Sequence, residues 1–340
     1  MRIIFKNWKK ELLLILFILT GIASFGQQQG QYSQYMMNYF QINPGIAGTE
    51  DFLDLKLGYR MQWAGFDGGP RNYYVSGHLP LNRLHNKVLR GRKSKPHHAM
   101  GGIIQGQTLG LLRHNSAHMA YAYHIPLDRS TYLSMGATAG VKQITVDHDR
   151  MYWGDLQIDP AAMVDTRYKF DMGVGFWFYT PKYFAGISSM QILRNRLDFS
   201  ESNNGNGVLD RHMYLTTGYK FKLDPDFFLI PSVLIKGTRS AYTADLNAKL
   251  RFHNPRYHTQ FWGGTSYRHK DAVVLIAGMG IPLTKVRPNQ KHGNKTMLDI
   301  SYAYDITTSK LSNYSNGTHE ITIGLRLPAG GSVISPSDFW

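Results

Sequence analysis

The chain has no cysteine, which excludes a disulfide framework, a thiolate metal site and a lipid anchor on an N-terminal Cys. Its fold stands on packing and hydrogen bonds alone. Long apolar runs are also missing: the stretch 12–23 is shorter than the roughly 18 residues that a spanning helix needs. No later stretch approaches that length, so a helical membrane protein is excluded. No Gly-flanked nucleophile elbow and no phosphate-cradling P-loop occurs, which removes the sequence signatures of an acyl-hydrolase and a nucleotide-binding enzyme. Acids are scarce beside bases, with 23 Asp and Glu against 38 Lys and Arg.

The short apolar run has a role of its own. Arg2, Lys6, Lys9 and Lys10 precede it and the small-residue exit Ser24-Phe25-Gly26 follows, the layout of a secretory signal cut near Gly26/Gln27. Four bases and Glu11 leave with that leader, so the mature chain keeps about +12 of the formal +15. For an exported chain such a surplus favours anionic lipid or an acidic protein as partner over nucleic acid.

What is present is glycine, 34 residues, and tyrosine, 21 residues, carried on a period of two. Between 167 and 179 one face holds Tyr168, Phe170, Met172, Val174, Phe176 and Phe178, and the other holds Arg167, Lys169, Asp171, Gly173, Gly175, Trp177 and Tyr179. The stretch 242–252 sets Leu246, Ala248 and Leu250 against Asp245, Asn247, Lys249 and Arg251. The stretch 320–327 sets Ile321, Ile323 and Leu325 against Glu320, Thr322 and Arg326. This alternation suits strands with one face on lipid and one on a lumen. Weaker versions at 53–60, 71–81, 99–110, 113–127, 131–146, 183–193, 211–223, 227–238, 256–268, 272–283 and 296–307 bring the expected total to fourteen. The fold class is therefore all-β: a transmembrane antiparallel β-barrel of about 14 strands, with an N-terminal segment that is not part of the barrel. An even count puts both termini on the periplasmic side.

The expected organisation is a signal over 1–26, an N-terminal plug or periplasmic strap over 27–52, a barrel over 53–328 and a tail over 329–340. Several connections after even-numbered strands are short, such as 128–130 and 180–182, and three of those strands close on His78-Leu79-Pro80-Leu81, His124-Ile125-Pro126-Leu127 and Gly280-Ile281-Pro282-Leu283. Proline at a strand end removes a donor where the ladder stops, so it marks a rim. Longer polar connections at 147–166 and 194–210 are expected outside and form the preferred cargo surface. Two even connections are long and basic; the first, 82–98, carries Arg83, Lys87, Arg90, Arg92, Lys93 and Lys95 without an acid. Those six are candidates for docking onto an acidic periplasmic partner.

Fourteen histidines do not compose a metal site. His97 and His98 are neighbours on a basic loop in this reading, and His114 and His118 share a strand face with no carboxylate to join them. No metal, cofactor or catalytic residue is expected. The lumen-facing set Asp54, Lys56, Arg60, Lys169, Asp171, Asp245, Lys249, Arg251, Asp299, Asp305, Glu320 and Arg326 mixes both signs. Such a set predicts cross-strand pairing in a filled or narrow lumen rather than a wide channel of one dominant sign.

The stretch 27–49 has no barrel period. It carries Gln31-Tyr32-Ser33-Gln34-Tyr35, Asn43-Pro44 and Ala47-Gly48, and is soon followed by Tyr59-Arg60-Met61-Gln62-Trp63-Ala64-Gly65-Phe66-Asp67-Gly68-Gly69-Pro70. Over 31–70 this strongly resembles the PorP/SprF family of Bacteroidetes outer-membrane proteins. The resemblance marks Gln34, Asn38, Asn43, Pro44, Gly48, Arg60, Gln62, Trp63, Gly65, Phe66, Gly68 and Pro70 as family-signature positions, structural or partner-binding. It implies a non-enzymatic component of the type IX secretion and gliding apparatus in the outer membrane, one that helps to secrete and anchor cargo with a type-B C-terminal domain, such as a surface adhesin. Some relatives instead couple the machine to periplasmic components. A general porin is the alternative that the strand pattern alone leaves open.

Overall fold

The computed structural model describes residues 30–50, 52–81, 96–146, 165–197, 207–239, 241–283 and 295–328. The strands are β1 (Phe52–Met61), β2 (Arg71–Pro80), β3 (His97–Leu109), β4 (Leu112–Pro126), β5 (Tyr132–Val146), β6 (Asp165–Tyr179), β7 (Tyr183–Met190), β8 (Arg196–Leu197), β9 (Gly207–Val208), β10 (His212–Tyr219), β11 (Phe221–Asp224), β12 (Phe227–Gly237), β13 (Tyr242–Asn254), β14 (Thr259–Arg268), β15 (Ala272–Pro282), β16 (Met297–Thr307) and β17 (Thr318–Pro328). Strands β8 and β9 pair only with each other. Strands β10 and β11 are one wall strand interrupted at Lys220, so the wall has the fourteen members that the alternation predicts.

Every wall pairing is antiparallel, and the sheet closes where β1 meets β17, from Phe52↔Pro328 to Met61↔His319. On the far side β10 pairs with β12. Closure is what hydrocarbon demands, because an open edge would leave backbone groups without partners. The outward face carries Leu55, Leu57, Val75, Ile104, Phe170, Val174, Leu246, Leu275, Ile300 and Ile323, all exposed. Among the charged residues expected in the lumen, all except Lys169 and Arg326 are buried, and those two are half-buried.

The barrel has two distinguishable ends. At one, termed the terminal end, β1 starts and β17 finishes; the strands ending in Pro80, Pro126, Pro282 and Pro328 all stop there, as the rim prolines predict. The other, the loop end, holds the β1–β2 turn. Strand β3 begins at His97 rather than Ala99, so His97 and His98 sit in the wall and not on a loop. His97 pairs across to His124 and stacks on it with ring centroids 4.2 Å apart.

Residues 30–50 form no wall strand. They make three short 3-10 turns, Tyr35–Met37, Tyr39–Gln41 and Pro44–Ile46, and every residue from Ser33 to Glu50 is buried. Its apolar side chains, Tyr35, Met36, Tyr39, Phe40, Ile42 and Ile46 among them, share one core with inward-facing Trp177, Tyr179, Phe184 and Leu234 of the wall. The segment fills the lumen.

Candidate functional site

Local chemistry explains why this stretch turns instead of pairing. Asn43 accepts a hydrogen bond from the Gly45 amide at 2.9 Å and stands before Pro44, the cap-then-proline order that starts a helical turn. Its side-chain nitrogen donates to the Phe176 carbonyl at 3.0 Å and the Ile187 carbonyl at 3.2 Å, which ties the turn to β6 and β7. Glycines let it approach. A Cβ on Gly136 would lie 2.4 Å from the Pro44 carbonyl carbon, and one on Gly175 would lie 2.1 Å from the Asn43 side chain. These strand glycines admit the segment as well as easing the wall's curvature.

The chain runs the length of the barrel. At the loop end the Tyr32 hydroxyl donates to the Tyr73 carbonyl at 3.1 Å, and Lys236 donates to the Gln31 side chain at 3.2 Å. At the terminal end the Gly48 amide donates to His78 Nδ1 at 3.3 Å. His97 Nε2 meets the Gly48 carbonyl at 3.1 Å, and His124 Nε2 meets that of Ala47 at 2.7 Å. The start of β1 and the end of β17 do share one end, as an even strand count requires. Residue 30 nevertheless lies at the opposite end, because the segment climbs through the lumen before the first strand begins.

Arg60 anchors the loop-end half. Its guanidinium donates to Glu320 at 3.1 Å, lies 3.0 Å from Asp305 and also reaches the Ser33 hydroxyl. Ser33 donates through its amide to Glu320 at 2.6 Å and through its hydroxyl to Asp305 at 2.6 Å. Gln34 adds its amide to the Glu320 carboxylate and its side-chain nitrogen to the Glu320 carbonyl, each at 3.0 Å. Arg268 extends the cluster to Asp245 at 3.3 Å, Asp271 at 3.2 Å and Asp305 at 3.5 Å. Arg60, Arg268, Asp245, Asp305 and Glu320 therefore pair across strands, and the segment is woven into the pairs. Charge-assisted bonds of this kind are the strong ones.

Of the twelve signature positions, Gln34, Asn38, Asn43, Pro44, Gly48 and Arg60 come together in the lumen, where Asn38 donates to Ser76 at 2.8 Å. Gly48 has φ +73, and a Cβ there would lie 2.3 Å from that of Ala99. The other six form the β1–β2 turn. Gln62 and Pro70 close it with a backbone bond of 2.8 Å, Trp63, Gly65 and Gly68 have positive φ, and Phe66 stacks edge-on against Trp63. Trp63 and Ala64 bond to Thr318 and Gly317, so this turn is tied to the start of β17. The signature thus divides between the lumen seat and the loop-end lip, with Arg60 at the junction.

Arg83, Lys87, Arg90, Arg92, Lys93 and Lys95 lie outside the described residues, as do 1–29, most of the two expected cargo loops and the tail. His118 does have a carboxylate beside it, which its spacing from His114 did not disclose: Asp171 of β6, at 3.3 Å. Among the described residues no group of three or more metal-capable side chains forms. The residues that sequence reasoning missed are His78, His97 and His124, which grip the end of the segment. A signal was available, since His78 and His124 each stand two places before a rim proline.

The chain matches, over residues 24–325, the family described as type IX secretion system membrane protein PorP/SprF. No curated protein matches it. Among solved structures it is similar to a Pseudomonas aeruginosa FadL homologue at 8% identity and TM-score 0.49, covering 82% of this chain and 90% of that one. It is also similar to the Pseudomonas putida toluene transporter TodX at 7% and 0.44, covering 84% and 90%. The β domain of the Bordetella autotransporter BrkA follows at 10% and 0.36, covering 82% and 98%.

Proposed function

Because this chain belongs to the type IX secretion system membrane protein PorP/SprF family, we propose that it is a non-enzymatic partner in secretion. In this reading it helps protein cargo with a type-B C-terminal domain, such as an adhesin, to leave the cell and stay at the surface. The barrel sits in the outer membrane. The observation that carries the reading, beside the family, is the filled lumen: residues 33–50 are buried along its length and held at the loop end by Arg60, Glu320 and Asp305. A wall built around a fixed internal segment offers binding surface at its ends rather than a wide path for solutes. Cargo contact belongs to the loop end, where the Trp63–Phe66 lip lies, and the basic stretch 82–95 belongs to a periplasmic component of the machine. On this reading the leader is removed near Gly26/Gln27.

The test is a mild-detergent pull-down of the tagged protein from its own outer membrane, with mass spectrometry of what stays bound. Recovery of a large surface protein through its C-terminal domain is the expected result. A lone barrel that conducts ions freely in a planar bilayer overturns the reading in favour of a porin.

A further inference from the structure

We propose that the lipid-facing wall at the loop end, across β2 to β6, holds the phosphate of an outer-leaflet lipid. Two rows of side chains carry the inference. In the upper row Arg71 pairs with Thr108 and Thr108 with Arg113, so that two exposed arginines flank one threonine, roughly 10 Å apart at the backbone. In the row beneath, Tyr73, Gly106, Asn115, Gln143 and Tyr168 stand side by side on successive strands. Both rows share the outward face with Val75, Ile104 and Phe170, all exposed.

The lower row is bonded along its length. The Tyr73 hydroxyl donates to Asn115 Oδ1 at 3.1 Å, the Asn115 side-chain nitrogen to Gln143 Oε1 at 3.3 Å, and the Gln143 side-chain nitrogen to the Tyr168 hydroxyl at 3.3 Å. Gly106 makes the first bond possible, because a Cβ there would lie 2.1 Å from Tyr73 Cζ; the tyrosine ring lies across β3 to reach β4. Every bond runs in the same direction, so the spare capacity of the row is in donors. Each side-chain amide keeps one N–H, and Tyr168 keeps its O–H. Neither row contains an acid.

Two guanidiniums above a row of spare donors select an anion and repel a cation. The planar fork of arginine matches phosphate oxygens, and a doubly charged phosphate matches two such forks better than a lone carboxylate does. Position selects a lipid. Charge on the lipid face is disfavoured within hydrocarbon, so Arg71 and Arg113 mark the headgroup level. Beneath them Val75, Ile104, Ala117 and Val141 offer acyl chains an apolar wall. The leaflet is the outer one, because longer loops face outward in bacterial barrels. The far side of the same end is built differently. It presents Tyr242, Tyr267 and Tyr302, the usual interfacial aromatics, and among the described residues no arginine on the outward face of β13 to β17.

The experiment uses the full-length barrel, purified and stripped of lipid in detergent, with native mass spectrometry of added diphosphoryl lipid A against its dephosphorylated form. Lipid A is expected to bind at least about tenfold more tightly than the dephosphorylated form, and Arg71→Gln combined with Arg113→Gln to weaken it by about tenfold. Gln143→Leu, which interrupts the lower row, is expected to weaken it about threefold. Lys182→Gln combined with Lys222→Gln, an equal loss of exposed charge at the terminal end, should leave binding unchanged. If the double arginine variant fails to assemble, the weakening by Gln143→Leu must appear in its place. Equal binding of the two lipid forms, full retention of lipid A by an assembled double arginine variant, or an equal loss in the lysine control overturns the proposal.

Discussion

The two halves of the internal segment are held by different physics. At the loop end Ser33 and Gln34 are caught among Arg60, Arg268, Asp305 and Glu320, so that half is held by charge. At the terminal end residues 43–49 make no hydrogen bond to a lysine or arginine among the described residues. They are held by Asn43, by histidine rings on the Ala47 and Gly48 backbone, and by close approach over Gly136 and Gly175. The contrast separates two tasks. Charge clusters are sensitive to the loss of one member, whereas a shape-matched seat yields in proportion to the misfit. The loop-end half is thus the one that a partner presenting a competing charge can loosen.

The largest expected effect follows from the charged half. Arg60→Met leaves Glu320 without its only ion-pair partner among the described residues and removes one of two from Asp305. Breaking a buried pair from one side costs about 3–5 kcal/mol. The refolded variant should show a lower urea midpoint and new protease cleavage between residues 30 and 38, and Glu320→Gln in the same chain should restore part of the loss. Unchanged cleavage would mean that the charges do not hold the segment.

The shape-held half responds to volume. Gly136→Val places side-chain atoms where the Pro44 backbone lies, and overpacking of this kind costs about 1–3 kcal/mol. The expected signature is an increase in single-channel conductance without loss of barrel assembly, because only residues 43–49 are displaced. His124→Phe should do less. It keeps a ring against His97 but loses the bonds to the Ala47 carbonyl and the Tyr179 hydroxyl, worth about 1–2 kcal/mol together and read as a small shift in the unfolding midpoint.

The wall was legible in the sequence because one physical demand, lipid outside and lumen inside, writes itself on every second residue. Tyr168 to Phe176 and Leu246 to Leu250 are exposed on alternate positions as the period predicts, and Asp245 opposite the second stretch pairs with Lys236 and Arg268. The seat of the internal segment was not legible. Its turns have no period, and its partners are remote in the chain: Ser33 meets Glu320, 287 residues away, and Asn43 meets Ile187, 144 away. Nor does an alternating pattern show which strand glycines mark a bend and which mark a passing chain. The β3 boundary was missed because His97 and His98 follow a basic stretch and look solvated, while in the wall His97 is buried against His124 and Tyr132.

The smallest expected perturbation tests the direction of the segment itself. Gln31→Cys removes one half-buried side chain and its bond from Lys236, a change expected to stay within about 0.5 kcal/mol. Gln31 lies at the loop end, near Asn72 and Tyr73, and longer loops face outward in bacterial barrels. A membrane-impermeant maleimide added to intact cells should therefore label residue 31. The same reagent should leave Thr49→Cys untouched, since residue 49 is fully buried at the other end. If Thr49→Cys is labelled and Gln31→Cys is not, the barrel sits the other way up or the segment does not thread it. In either case the charged half would face the periplasmic machine instead of the cargo, and the assignment of partners to the two ends would be exchanged.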